Sequence, residues 1–349
     1  MAKETIAEKL AKKSFESTAV QKSWQEHMKA FGPILEPAFT DDYQAKVDLT
    51  AALNHISRRD IVKGLKKLQA VETHCVTDAD YAAWLFFSGL CMEMANRKEE
   101  MLSFYQQAGE YGHRFYLPYL KIAKAAHNDA AFDIAKDNYL KTVRCLENDD
   151  LDDRNRVMLG SVYTNLASCL TMMHCYDEAE EALRKSMEIL PEQPGRTATE
   201  AILAAAEGDK ERAYCCTDTI ARQLPPFYET TKQMVDEILE GRHPQFSRIP
   251  IEKEQIGAFW DWFVSNEDFL LNMLKIKEYD AVFQLVQPKL KELFPFMKRD
   301  LDFSIEPEEG AYKIAFADYH MTSLENGYKE LIDARPERLS EHWEFDISR

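Results

Sequence analysis

The sequence predicts a mainly α protein, an α-α superhelix of paired helices followed by a small α+β domain with a short antiparallel sheet. Three observations predict it. Small residues recur in a 34-residue register between residues 85 and 225, apolar residues keep a helical period through most of the chain, and alternating, strand-like patterns appear only after residue 300.

In the segment Tyr163, Leu166, Ala167, Leu170, then Ala179, Leu183, Ser186 and Pro191, two apolar runs of helical period flank a tight turn. Shifted by 34 residues, the pattern returns as Ala201, Ala204, Gly208-Asp209, Ala213 and Pro225. Shifted the other way from Ala135, Met101 takes its place, with Tyr105 under Tyr139 and Gly89 under Ala123. Between Ala135 and Ala179 the step is 44, which places a ten-residue insertion around the acidic run Glu147–Asp153. That run lacks the central Gly and terminal Glu of a calcium loop and reads as a solvated loop.

This register resembles the tetratricopeptide repeat over four units, at 82–115, 116–149, 160–193 and 194–227. The family's first-helix aromatic is kept at Tyr119 and Tyr163, and its closing proline at Pro191 and Pro225. The resemblance implies a right-handed solenoid whose concave face, lined by first helices, binds a protein or peptide. Carried onto this sequence, the peptide-binding positions are Phe86, Leu90, Lys121, Lys124, His127, Thr164, Asn165, Ser168 and Met172, with Leu120 and Thr171 on the same face. The family's clamp for a chain-end carboxylate is incomplete here, because Lys124 and Asn165 lack further basic partners. These positions are expected to face solvent; the alternative is that the N-terminal helices cover them. Residues 1–81 are read as helices capping the solenoid, 82–240 as the repeats with their capping helix, and 251–349 as a separate domain. The Gly- and Pro-containing stretch 240–250 marks the boundary.

In the last domain, helical period runs from Ile256 to Leu274 and from Tyr279 to Leu290. Strand patterns follow at Leu301–Ile305, Tyr312–Phe316 and Trp343–Ile347, with a helix near 322–334. The opening Phe259–Glu267 resembles a signature of uncharacterised bacterial proteins and implies no activity. Within it, Glu267 falls on the apolar stripe of its own helix, where an unpaired carboxylate costs several kcal/mol. It is therefore expected to find a partner. A structural tie between helix and loop is the favoured reading; a site acid with Asn266, and with His320 or Arg335 nearby, is the alternative.

Composition narrows the function. With 60 acidic residues against 43 basic and a net charge of −17, the chain repels nucleic acid and anionic membranes. No apolar run approaches the length of a membrane helix, and acids stand in the first residues where a signal peptide is apolar, so a cytoplasmic location is expected. Seven scattered cysteines read as reduced packing thiols. The pairs His74-Cys75, His174-Cys175 and Cys215-Cys216 lack ligand spacing, so no metal or other cofactor is expected. No phosphate loop or nucleophile motif occurs. The first functional expectation is a non-enzymatic adaptor or scaffold binding a protein or peptide. A small hydrolase or transferase using Glu267 is the second, and a sensor of signalling peptides the third.

Overall fold

The computed structural model describes residues 5–112, 115–147, 153–243, 245–246, 251–295, 297, 299–308 and 310–348. Helices α1 (Ile6–Phe15) and α2 (Thr18–Leu35) open the chain. There follow α3 (Tyr43–Ser57) packed on α4 (Ile61–Glu72), and α5 (Asp78–Met94) packed on α6 (Lys98–Tyr111). Next come α7 (Tyr116–Asn128), α8 (Phe132–Glu147), and α9 (Asp153–Met172) packed on α10 (Tyr176–Ile189). A further packed pair, α11 (Pro194–Glu207) and α12 (Lys210–Gln223), also takes α13 (Pro225–Leu239) against both its members. The chain divides into two compact units, Met1–Ala123 with Leu140–Leu151, and Lys124–Tyr139 with Asp152–Arg349. No helix among the described residues is long and apolar enough to cross a membrane.

One turn closes every two-helix step. Asn96, Ala130, His174 and Gly208 all adopt positive φ, between 57° and 84°, at successive steps of 34, 44 and 34 residues. At each, the following amide donates to a carbonyl five residues back: Arg97 to Met92, Ala131 to Ala126, Cys175 to Leu170 and Asp209 to Ala204. The turn residue's own amide donates three residues back, which completes a Schellman motif and satisfies carbonyls that the helix end would leave bare. Seven residues before each turn stands a buried small residue, Gly89, Ala123, Ala167 or Ala201, and five after it Met101, Ala135, Ala179 or Ala213, also buried. In the packed pairs α5/α6, α9/α10 and α11/α12 the small side chains let the helices approach closely. A Cβ added at Gly89 would lie 2.8 Å from the ring of Tyr105, a fully buried side chain whose hydroxyl donates to Glu93 at 2.5 Å. Gly89→Ala is therefore expected to cost a net 1–2 kcal/mol (about), overpacking outweighing the better helix propensity of Ala, and thermal melting measures it.

The same turn recurs where the sequence showed no register. Arg59, between α3 and α4, has positive φ with Asp60 donating to His55, and its flanking small residues are Ala52 and Gly64, both buried. The step from Arg59 to Asn96 is 37 residues because α5 is longer, 17 residues against 13 in α7. Similarly, α9 has 20 residues, so much of the ten-residue insertion lengthens that helix. Of the acidic run expected as a loop, Glu147 ends α8 and Asp153 begins α9, while 148–152 lie outside the described residues.

Beyond residue 250, α14 (Lys253–Lys275) packs on α15 (Tyr279–Leu293) through a turn of the same kind at Lys277. Strands β1 (Phe303–Pro307) and β2 (Tyr312–Ala317) form the expected antiparallel hairpin, with Ile305 opposite Ile314. After α16 (Thr322–Asp333) and a short 3-10 turn (Glu337–Glu341), β3 (Trp343–Ser348) joins β2 in parallel, so the sheet is mixed and its order is β1-β2-β3. The short sheet expected as antiparallel is so in its hairpin, and the parallel third strand is the one difference. A strand reached through a helix crossover returns in the direction of the strand that preceded the helix. Trp343 and Phe345 on β3 meet Phe263 at 5.0 and 5.6 Å between ring centroids, and Trp260 donates its indole N–H to Leu331 O at 2.8 Å.

Candidate functional site

In the first unit, Phe86 is fully buried, and Phe31 of α2 packs edge-on against it and against Phe87, at 6.1 and 5.3 Å. The expectation that Phe86 faces solvent is corrected: an N-terminal helix covers it. The cover turns at Phe31, which leaves helical geometry just before Pro33, a residue without an amide to donate, and buried Ile34 and Leu35 follow. Leu90 is half-buried. Lys121 pairs with Glu93 at 2.8 Å, the carboxylate that also accepts the Tyr105 hydroxyl. Leu120 is buried.

In the second unit, Lys124 is exposed, and Asn165 and Ser168 are half-buried. Thr164, Thr171 and Met172 are buried, which corrects their assignment to an open face. Their polar groups are spoken for. The Thr164 hydroxyl lies 2.9 Å from that of Ser186, and both reach Gln193 Oε1, at 2.8 and 2.9 Å. Thr171 donates to Ala167 O, and the Met172 carbonyl accepts from Gln245. Gln245, only 2% exposed, also donates to His320 O at 3.1 Å. Part of the stretch taken as a boundary thus ties α9 to the segment before α16. His127 packs edge-on between Phe132 and Tyr139, at 5.6 and 6.0 Å, and burial pushes its pKa down to about 4. The Tyr139 hydroxyl lies 3.4 Å from its Nδ1, a geometry that suits a neutral ring accepting the phenol proton.

The carboxylate singled out for chemistry is closed. Glu267 is buried, and its Oε2 accepts from Arg338 Nη2 at 3.0 Å, with the same nitrogen 3.4 Å from Val264 O. Asn266 instead donates to Trp262 O at 2.8 Å, Arg335 reaches Ile332 O at 3.4 Å, and His320 donates its amide to Asp318. None of these bonds runs to Glu267. Arg338, from the 3-10 turn 71 residues away, is the partner, so the ion pair ties α14 to the segment that leads into β3.

A cleft of about 940 Å³ in the first unit had no counterpart in the sequence reading. It lies where three helices begin. Thr5 with Glu8 forms the capping box of α1, Asp42 caps α3, and Thr77 with Asp80 forms the capping box of α5; all five residues line the cleft. Asp80 accepts from the amides of Phe39, Val76 and Thr77 at 2.5–3.1 Å, holding Phe39 at its positive φ, and Asp42 meets His74 Nδ1 at 2.8 Å. These carboxylates serve helix starts, and helix dipoles offset their charge. The spacing Thr-x-x-Glu and Thr-x-x-Asp is the signal that could have located them.

Comparison with known proteins finds no family model that matches this chain and no curated protein similar to it.

Proposed function

We propose that the chain is a non-enzymatic adaptor that binds a protein or peptide through first-helix positions of tetratricopeptide-like repeats. The observation that carries this reading is one repeated place. In the second unit, Lys124, Ser168 and Ile202 each stand six residues before a left-handed turn residue and next to a buried Ala, and each keeps part of its surface open. A place that is accessible in three successive repeats of one unit, while its neighbour is buried in each, suits recognition along an extended partner. The pairing of Glu267 with Arg338 supports the same reading, since it leaves the strongest acid candidate engaged in the fold.

Copurification from the source cell tests it. Lys124→Glu combined with Asn165→Ala is expected to abolish recovery of the main partner while leaving the melting temperature unchanged, because Lys124 is exposed and Asn165 half-buried.

A further inference from the structure

Helix α14 carries two apolar rows. Ile256, Phe259, Trp260, Phe263, Leu270 and Leu274 form the buried one. The second consists of Trp262, Phe269, Met273 and, at the helix cap, Ile276, spaced by seven, four and three residues and so sharing one face. Phe269 is 50% exposed and Ile276 63%. Trp262, half-buried, meets rings of its own helix, Phe259 and Phe263, at 6.3 Å each. The row spans about 21 Å, or roughly four turns of helix.

A row of charge runs beside it. Glu254, Asp261 and Asp268 are exposed and follow one another at seven-residue intervals, each one residue before a member of the series Gln255, Trp262 and Phe269. Lys275, next in the row, stands beside Ile276. From Glu254 to Leu274 the helix contains no Lys or Arg, and its other acid, Glu267, is already paired. A seven-residue repeat of apolar positions with charges at their edge is the pattern by which one helix selects another.

We propose that this outer row of α14 docks an amphipathic helix of a partner protein, one whose apolar face is bordered by Lys or Arg opposite Glu254, Asp261 and Asp268. Charge complementarity decides between occupants. A second copy of α14 would bring Asp261 and Asp268 against like charge, which disfavours self-association. The surface is distinct from the repeat positions of the adaptor reading and stands or falls separately from it.

The test uses the full chain and two synthetic 21-residue helical peptides with the same Leu seam, one with Lys and one with Glu at the flanking positions, titrated by calorimetry. The Lys peptide is expected to bind one per chain and the Glu peptide not to bind. Phe269→Ser with Ile276→Ser should weaken the Lys peptide at least tenfold at unchanged melting temperature. Asp261→Lys with Asp268→Lys should reverse the preference toward the Glu peptide. The proposal is overturned if the Lys peptide binds wild type and the Phe269/Ile276 variant equally, which would reduce its binding to the overall negative charge. It is also overturned if the charge variant keeps the original preference, or if sedimentation shows a dimer of the chain that the Phe269/Ile276 variant loses.

Discussion

Phe263→Ala is expected to lower stability by about 3–5 kcal/mol, the range for emptying a fully buried aromatic site. Phe263 is fully buried and lies within 5.0–6.1 Å of Trp343, Phe345, Trp260 and Phe259, so its ring joins α14 to β3. The flanking rings belong to two elements pinned elsewhere, by the Trp260 bond to Leu331 O and by the pairing of β3 with β2, and they cannot collapse fully into the space. Phe269→Ala on the same helix should change stability by less than about 0.5 kcal/mol, because half of that side chain is already in water. Urea midpoints of the two variants, compared at equal slope, measure the contrast. A loss under about 1 kcal/mol for Phe263→Ala would contradict the packing described for this end of the chain.

Stability is also expected to fall on acidification between about pH 6.5 and pH 4, by as much as 2–3 kcal/mol from His127 (about). The direction follows from proton uptake. Burial holds the folded His127 near pKa 4, whereas an unfolded histidine titrates near 6.5, so within that window the unfolded chain binds the proton and the folded chain does not. The stabilisation is therefore complete above about pH 6.5 and is lost as the pH falls toward the folded value. His27, His174 and His243 are lowered by burial as well and act in the same sense. Denaturation at a series of pH values checks the effect, and His127→Gln should remove its share of the slope. An unchanged slope in that variant would mean that the ring is solvated in the folded protein.

Much of the helical part was legible because its constraint is steric and local. Gly89, Ala167 and Ala201 stand where the helices of a packed pair approach, buried Ala123 keeps the same register, and the interval between them equals the length of a helix pair. Where a helix gained turns the interval changed and the signal faded. Ala52, Arg59 and Gly64 are equivalent to later residues, yet the longer α5 displaced them by three from the register. The exposure of the proposed binding positions was less readable. Phe86 is covered by Phe31, 55 positions earlier, and Met172 O accepts from Gln245, 73 positions later, and no periodicity links such residues. Glu267 shows both sides. Its place on an apolar stripe required a partner, but an ion pair to Arg338 leaves no spacing pattern by which the partner could be chosen over Arg335.

The adaptor reading is tested most directly by one copurification series comparing wild type, the Lys124→Glu/Asn165→Ala variant and Glu267→Gln, with melting temperatures recorded on the same preparations. Glu267→Gln removes the carboxylate charge and leaves an amide oxygen to accept from the Arg338 guanidinium. Since Arg338 is largely exposed, the expected loss is about 1–2 kcal/mol of stability with partner recovery intact. The repeat variant should keep its melting temperature and lose the partner. The opposite pattern, a repeat variant that recovers the partner normally beside a folded Glu267→Gln protein that has lost a measurable function, would contradict the account and place the working chemistry around the carboxylate of α14.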